Sequence, residues 1–336
     1  MIKFHKMLFF NTLIVGTLIS ISAYSWFSMW MGLEINMLSM IPLMINEKNQ
    51  FSSESAIKYF ITQALASSAV LFSIILMSNT KEFTPQNSNF LLLMFMNSAL
   101  LTKLGAAPFH FWFPEVMEGL NWLNCLILLT WQKIAPMMLI MYNLKMTLFL
   151  SMIIIFSSIT GGVLGINQMS IRKIMAYSSI NHIGWMIASM NSFSTWLIYF
   201  LIYSIISVNI IIIFKENNIF WLSQVSNFLS KSKTFKLTFM MNFLSLGGIP
   251  PFLGFFPKWI TINLMVEKSF FWLSLILIVF TLITLFFYLR ISFLALTINS
   301  EENLVSKSKM NLFFSNLTNF FSLSGLIICT MIFNLN

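Results

Sequence analysis

The chain has 336 residues, of which 58% are hydrophobic and only 9% are charged, and its formal net charge at pH 7 is +9. Runs of about twenty apolar residues recur along it, and each run is long enough to cross a bilayer as a helix. These features exclude a soluble globular domain. They also exclude a nucleic-acid-binding protein, because the basic residues lie mostly between apolar segments, where membrane topology accounts for them.

Apolar windows predict an all-α polytopic membrane protein with eleven transmembrane helices in a single integral domain, residues 1–336. The polar connections are too short to fold alone. The first apolar run leads directly into a second, so we interpret it as a retained helix and not as a cleaved signal peptide. The predicted spans are residues 7–23, 26–45, 56–78, 89–117, 120–142, 147–166, 171–189, 194–214, 237–265, 270–293 and 312–334.

The basic residues are distributed unevenly between the two sides that this topology defines. Twelve of the nineteen fall on the side of the N-terminus, whereas Lys81, Lys145 and Lys268 fall on the other side. Positive residues accumulate on the non-translocated side of a membrane protein, so the N-terminus is predicted on the matrix-like side. The twelve are Lys3, Lys6, Lys48, Arg172, Lys173, Lys215, Lys231, Lys233, Lys236, Arg290, Lys307 and Lys309.

The fourth and ninth spans contain similar motifs, LGAAPFHFWFPE from Leu104 and GGIPPFLGFFPK from Gly247. Their offset of five spans means that the second copy enters the membrane from the opposite face, which indicates inverted repeats over approximately 26–142 and 147–293. Residues 312–334 are then a separate C-terminal helix. Aligned without a gap, the motifs share five positions: Gly105 with Gly248, Pro108 with Pro251, Phe109 with Phe252, Phe113 with Phe256, and Pro114 with Pro257.

Glycine and proline in these motifs predict an interruption of each helix, at Gly105 to Pro108 and at Gly247 to Pro251. Main-chain groups freed at that depth must be satisfied by protein or by water. A pair of proline kinks that only serve helix packing is the alternative. The duplication favours two broken helices at a transport site.

Four charged residues lie inside predicted spans: Glu34, Lys103, Lys133 and Lys258. Each costs at least about 2.5 to 3.5 kcal/mol near the bilayer centre, so they are expected to face one another or water. Burial disfavours a charged amine and a nearby carboxylate favours it, so a movable pair can load and unload a proton. Glu34, with Lys103 as its partner, is the candidate pair.

Histidines can relay protons near neutral pH, and His110 and His182 are the candidates here. Simpler readings stay open: a fixed ion pair for Glu34 and Lys103, snorkelling for Lys133 and Lys258, and packing for both histidines. Glu115 and Glu118 are interpreted as interfacial, and Cys125 and Cys329 as packing residues. No metal, heme or nucleotide motif is present in the sequence.

The segments LTKLGAAPFHFWFPEVMEGL, LLTWQKIAP, SSINHIGWM and FLSLGGIPPFLGFFPKW resemble the subunit 2 family of mitochondrial NADH dehydrogenase, respiratory complex I, and are most like its insect members. The resemblance extends over nearly the whole chain. It implies an antiporter-like fold with inverted five-helix repeats. It also matches Glu34 and Lys103 to the family's charge pair, Lys133 to the central lysine, and Lys258 to the lysine of the second broken helix. His110 and His182 match polar positions on the same hydrated axis.

The resemblance further implies a subunit of a proton-translocating NADH:ubiquinone reductase in the mitochondrial inner membrane, with the C-terminus on the intermembrane-space side. NADH, FMN, iron–sulfur clusters and ubiquinone are expected in other subunits, and no cofactor in this chain. Expected partners are other membrane-arm and accessory subunits and phospholipids such as cardiolipin, with no nucleic acid. Two other functions stay open, a free-standing cation/proton antiporter and a scaffold that does not pump.

Overall fold

The computed structural model describes residues 4–46, 49–80, 88–144, 146–229, 233–250 and 252–296. These residues are almost entirely helical, and the only β pairing among them is an isolated antiparallel bridge between Ser170 and Trp221. Fourteen helices are described: α1 (Phe4–Ser22), α2 (Trp26–Met44), α3 (Gln50–Thr80), α4 (Ser88–Leu104), α5 (Trp112–Gly119), α6 (Trp122–Leu129), α7 (Trp131–Met141), α8 (Thr147–Ile166), α9 (Ile171–Ser189), α10 (Phe193–Asn217), α11 (Leu222–Leu229), α12 (Lys233–Gly247), α13 (Phe255–Glu267) and α14 (Phe271–Leu296).

The helices confirm the prediction of an all-α polytopic membrane protein. Ten of the eleven predicted spans coincide with one helix or with two consecutive helices, and the eleventh, residues 312–334, lies outside the described residues together with Cys329. Six segments in the described part are long and apolar enough to cross a bilayer by length and composition alone. They are Phe4–Ser22, Gln50–Asn79, Trp122–Met141, Thr147–Ile166, Phe193–Asn217 and Phe271–Phe293.

Two local features differ from the predicted elements. The span predicted over 120–142 is divided at Thr130 into α6 and α7, and the Thr130 hydroxyl donates to the Leu126 carbonyl at 2.8 Å. A threonine hydroxyl that bonds back to the preceding turn often bends a helix. The short helix α11 lies in a stretch that the sequence presents as a polar connection. Leu222 and Val225 are buried there, one helical turn apart, so a small apolar face forms without the length of a span.

The chain divides into two compact units, Met1–Ile153 and Ile154–Asn336. In the first unit, α1 packs closely on α2 because glycines let the two main chains approach. A Cβ atom at Gly32 would lie 2.6 Å from the Ser20 amide nitrogen, and one at Gly16 would lie 3.1 Å from the Gly32 carbonyl oxygen. Small residues at a helix contact are typical of membrane proteins. Helix α3 contacts α2, α4 and α5, and α7 contacts α1, α4 and α6.

The second unit is built around α9, in which nearly all side chains from Ile174 to Ser189 are buried. Small residues again permit the packing, since a Cβ atom at Gly184 would lie 2.5 Å from the Ser157 hydroxyl oxygen. Helices α10, α13 and α14 contact α9, and α12 contacts α10 and α14. The predicted limits of the two inverted repeats, 26–142 and 147–293, stay predictions.

Candidate functional site

The two predicted interruptions occur where the duplicated motifs stand, and they share one main-chain conformation. Gly105 follows α4 with φ +74° and Gly248 follows α12 with φ +78°, the left-handed region that glycine adopts without a Cβ penalty. Each glycine and the next residue donate hydrogen bonds to carbonyls of the last helical turn, as in a Schellman motif. The bonds are Gly105 to Thr102 (3.1 Å) and Ala106 to Leu101 (3.1 Å), then Gly248 to Ser245 (3.0 Å) and Ile249 to Leu244 (3.3 Å).

The prediction that both helices break is therefore confirmed, with glycine as the residue that ends each helix. The helix stops before the chain reaches Pro108, and Pro251 in the second motif lies outside the described residues. Only glycine fits at position 254, because a Cβ atom on Gly254 would overlap the Ser245 carbonyl oxygen. The second connection thus folds back directly onto the end of α12.

At the first break, two side chains outside α4 donate to carbonyl oxygens of its last turn. The Gln63 side-chain amide on α3 donates to the Lys103 carbonyl oxygen at 3.3 Å. The Trp112 indole N–H donates to the Thr102 carbonyl oxygen at 3.0 Å. Such partners are needed where a helix ends within a bilayer.

Lys103 itself is buried, with 7% of the residue exposed, and its amine nitrogen has no hydrogen-bond partner in the described part of the chain. Glu34 on α2 is partly buried and interacts electrostatically with Lys103. No direct hydrogen bond joins the two residues proposed as a charge pair, and their pairing stays a prediction.

Lys133 is the most deeply buried of the three lysines, with 1% exposed, in the first turn of α7. Its amine lies 5.9 Å from the centre of the Phe113 ring. The same phenylalanine packs on the first break, since a Cβ atom at Gly105 would lie 3.1 Å from the Phe113 Cβ. His110, 3% exposed, stacks on Phe111 with 4.4 Å between ring centres.

A polar bridge beside Lys133 joins three helices of the first unit. The Gln132 amide nitrogen donates to the Asn36 side-chain oxygen at 2.9 Å, and the Tyr59 hydroxyl donates to the Gln132 side-chain oxygen at 3.5 Å. These bonds connect α7 to α2 and α3. They hold the rotation of α7, on which the direction of Lys133 depends.

At the second break the lysine caps the interrupted helix. The Lys258 amine donates to the carbonyl oxygen of Gly247, the last residue of α12, at 2.7 Å, and lies 5.9 Å from the centre of the Trp185 ring. Glu115, which aligns with Lys258 in the repeated motif, is exposed instead and pairs with Lys58 at 3.0 Å. Aligned positions of the two motifs therefore have different environments, and the interfacial interpretation of Glu115 stays a prediction.

His182 in α9 is 5% exposed, and its Nδ1 lies 3.0 Å from the Tyr199 hydroxyl. The Tyr203 ring is also adjacent, with ring centres 5.0 Å apart. A cavity of about 10 Å³, approximately the space of one water molecule, adjoins these side chains. Its lining includes His182, Tyr199, Tyr203, Ser245, Gly254 and Pro257.

The first unit therefore contains Glu34, Lys103, His110 and Lys133, and the second contains His182 and Lys258. No cluster of three or more His, Cys, Asp or Glu side chains that could hold a metal ion is found within the described ranges. Sequence reasoning missed Gln63, Trp112, Gln132 and Tyr199. An amide in the middle of an apolar span, as at Gln63, was the available signal, because an unpaired polar group is costly there.

Comparison with known proteins gives one consistent assignment. Residues 23–284 match the family described as the transmembrane region of NADH:quinone oxidoreductase and Mrp antiporters. The chain is 52% identical to the NADH-ubiquinone oxidoreductase chain 2 of Aedes aegypti over 338 residues, and 47% identical to that of Anopheles gambiae over 340 residues. Each alignment covers 98% of both proteins.

Solved structures share the fold at low identity. A chain of respiratory complex I from Thermus thermophilus superposes with a TM-score of 0.87 at 20% identity, over 98% of this chain and 79% of that one. A chain of the Mrp complex from Dietzia sp. superposes with a TM-score of 0.73 at 16% identity, over 83% and 58%. At these identities the likeness establishes the fold alone.

Proposed function

The chain belongs to the NADH:quinone oxidoreductase/Mrp antiporter membrane family, within the NADH-ubiquinone oxidoreductase chain 2 group, and we propose that it carries protons as a core membrane-arm subunit of NADH:ubiquinone oxidoreductase. Protons move from the matrix to the intermembrane space in this proposal. The redox chemistry, with NADH, FMN, iron–sulfur clusters and ubiquinone, lies in other subunits.

The observation that carries the proposal is a buried lysine at each of two helices interrupted in the same way. Lys103 is in the last turn of α4 before Gly105, and Lys258 contacts the end of α12 before Gly248. Charged residues and broken main chain at membrane depth are both costly unless protein or water satisfies them, so their presence indicates a functional site. Their occurrence together in each unit supports a transport role.

In the first unit, Glu34 and Lys103 form the proton-loading pair. A buried amine changes its protonation when the surrounding charge changes, so movement of the carboxylate relative to the amine loads or unloads it. This change alters the protonation of Lys133, which is held by the Gln132 bridge and lies beside the Phe113 ring. His110 is the relay candidate at the break.

In the second unit, Lys258 is the proton carrier and His182 the relay, oriented by Tyr199. We infer a sequence in which a disturbance at Glu34 and Lys103 alters the protonation of Lys133 and then of Lys258. A charge that crosses the membrane works against about 2.3 kcal/mol per 100 mV, so sequential loading is required and an open water wire would leak.

The location and partners follow from the same proposal. The protein is placed in the mitochondrial inner membrane as a multi-pass subunit, with its N-terminus in the matrix and its C-terminus in the intermembrane space. Other membrane-arm and accessory subunits bind it within the bilayer or along its polar loops, because these loops are too short for large peripheral domains. Phospholipids such as cardiolipin cover the exposed apolar surface, where Leu65 is 66% and Phe111 is 71% exposed.

Two other functions make different predictions. A free-standing cation/proton antiporter, an alternative suggested by the Mrp antiporters in the same family, would exchange ions in liposomes that contain the purified chain alone. A scaffold that does not pump would tolerate neutral replacements at Glu34, Lys103, Lys133 and Lys258 together. The proposed function requires the assembled complex and at least one of these charges.

The test is Lys133→Met in the assembled complex, in inverted inner-membrane vesicles. Lys133→Met retains the length of the buried side chain and removes only the amine. We expect the rate of NADH-driven proton uptake to fall by at least about tenfold, as for loss of a directly participating group. NADH oxidation by ubiquinone is measured in parallel with an uncoupler present, and assembly by native electrophoresis.

Lys58→Met is the matched control, because Lys58 is a half-exposed lysine of the same unit that pairs with carboxylates at the surface. It should leave proton uptake near the wild-type rate. Full proton uptake by assembled Lys133→Met complex would refute the role of Lys133. Full uptake by the variant neutral at all four charges would favour the scaffold.

A further inference from the structure

The two interrupted helices differ in what satisfies their last carbonyl groups. At the second break the Lys258 amine donates to the Gly247 carbonyl oxygen at 2.7 Å. At the first break Gln63 and Trp112 donate to the carbonyl oxygens of Lys103 and Thr102, one and two residues before the position that aligns with Gly247. The Lys103 amine makes no hydrogen bond with the described residues. The two breaks share a left-handed glycine and the hydrogen bonds that this glycine and the next residue make to the last helical turn, and they differ in the side chains that bond to their carbonyl oxygens.

Gln63 is placed to act from outside the broken helix. It lies on α3, is 5% exposed, and donates from its side-chain amide to the carbonyl oxygen of Lys103. A buried amide in an apolar span needs a hydrogen-bond partner, and a carbonyl released by a helix end needs a donor. Each group therefore satisfies the other.

Trp112 acts from the other side of the break, in the first turn of α5. Its indole N–H donates to the Thr102 carbonyl oxygen, and its ring makes an edge contact with Tyr59, with ring centres 6.0 Å apart. Because Tyr59 and Gln63 are four residues apart on α3, one helix face holds both donors against the end of α4.

We propose that Gln63 and Trp112 are positioning residues for Lys103. By donating to carbonyl oxygens in the last turn of α4, they leave the Lys103 amine free of main-chain bonds and responsive to Glu34. Neither side chain exchanges a proton at neutral pH, so their contribution is geometric. This inference rests on the proposed proton-carrying function and names two residues for which the sequence alone indicated no role.

The difference between the breaks follows from this assignment. An ammonium that is bonded to a helix-terminal carbonyl must break that bond when it moves, whereas an amine without such a bond can respond to a carboxylate directly. The carbonyls at the first break are held by neutral donors, which do not compete with the proton carried by Lys103. Lys258 combines carbonyl capping and proton carrying in a single side chain.

The test is a double-mutant cycle in the assembled complex. Gln63→Met removes the amide at nearly constant length, Glu34→Gln removes the carboxylate charge, and the double variant combines them. We expect Gln63→Met to lower NADH-driven proton uptake by about three- to tenfold, with uncoupled NADH oxidation retained. If Gln63 acts through Lys103 and Glu34, the effects are not additive, and the double variant is little worse than Glu34→Gln alone.

Thr62→Val is the matched control, because Thr62 is the neighbouring residue and its hydroxyl bonds only to carbonyls of its own helix. It should leave proton uptake unchanged. Trp112→Phe provides an independent variant that keeps a ring beside Tyr59, and it carries the same cycle if Gln63→Met fails to assemble. Strictly additive effects with Glu34→Gln, or normal uptake in an assembled variant of either residue, would overturn the proposal. If the Gln63 and Trp112 variants take up protons normally and Lys133→Met does not, the positioning role is wrong and the proposed function is retained.

Discussion

The Lys258 amine lies 2.7 Å from the carbonyl oxygen of Gly247, eleven residues earlier in the chain and at the end of α12. This bond links the two sides of the second break, because the lysine after the break donates to the last carbonyl of the helix before it. A cation at the C-terminus of a helix also interacts favourably with the helix dipole. Lys258 is therefore a structural residue as well as a candidate proton carrier.

Replacing Lys258 by Met should lower stability as well as proton uptake. The Gly247 carbonyl would be left buried without its donor, which costs about 1–3 kcal/mol. The matched comparison is Lys103→Met combined with Glu34→Gln. The Lys103 amine makes no hydrogen bond with the described residues, and the combined change leaves neither a carbonyl without its donor nor a carboxylate without its charge partner. We expect both variants to lose proton uptake. Thermal release of the subunit from the purified complex should shift to lower temperature for Lys258→Met alone, and equal shifts would contradict the capping role.

Gly248→Ala should be harmful where Gly247→Ala is tolerated. Gly248 has φ +78°, and its added Cβ would lie 2.8 Å from the Lys258 Cδ and 2.9 Å from the amine. A left-handed conformation costs a non-glycine residue about 1–2 kcal/mol, and the lysine must also move. Gly247 is helical, and its added Cβ meets the nearest atom at an ordinary 3.5 Å. Proton uptake and thermal stability of the assembled complex should fall for Gly248→Ala only, and similar behaviour of the two would show that the left-handed turn is dispensable.

The interruptions and the buried lysines could be predicted from the sequence because their signals are local. A glycine and a proline inside an apolar run, or a charge within a span, carries a cost that one segment reveals on its own. The duplication added a second, independent copy. The agreement of φ at Gly105 and Gly248 supports the ungapped alignment at the residue where each helix ends.

What could not be predicted depends on contacts between helices. Gln63 meets the Lys103 carbonyl forty residues away, and Gln132 meets Asn36 ninety-six residues away. An isolated amide in a span only indicates that some partner exists. The break at Thr130 could not be predicted either, since a threonine hydroxyl bonds to its own helix in many straight helices. Helix α11 is too short to be recognised from hydropathy.

Gly32→Ala should separate α1 from α2 and weaken the first unit. The added Cβ would lie 2.6 Å from the Ser20 amide nitrogen and 2.8 Å from the Gly16 carbonyl oxygen, and main-chain atoms cannot move aside as a side chain can. Overpacking of this kind costs about 1–3 kcal/mol. Gly162→Ala is the control, because its nearest contact would be 3.4 Å. Native electrophoresis should show less assembled complex for Gly32→Ala, and unchanged assembly would mean that the α1–α2 contact adjusts freely.

Tyr199→Phe should impair proton uptake without impairing the fold. The Tyr199 hydroxyl lies 3.0 Å from His182 Nδ1, and this contact fixes which ring nitrogen is turned toward α10. Loss of the hydroxyl leaves the ring volume in place and frees the imidazole to turn, so a relay through His182 becomes slower. We expect a fall of about three- to tenfold in NADH-driven proton uptake, the scale of losing one oriented hydrogen bond.

Tyr142→Phe is the control, since that tyrosine is exposed and its hydroxyl contacts only the Ile21 carbonyl oxygen at 3.4 Å. If Tyr199→Phe pumps at the wild-type rate while His182→Ala does not, the histidine acts without this orientation. If neither variant loses uptake, His182 is a packing residue.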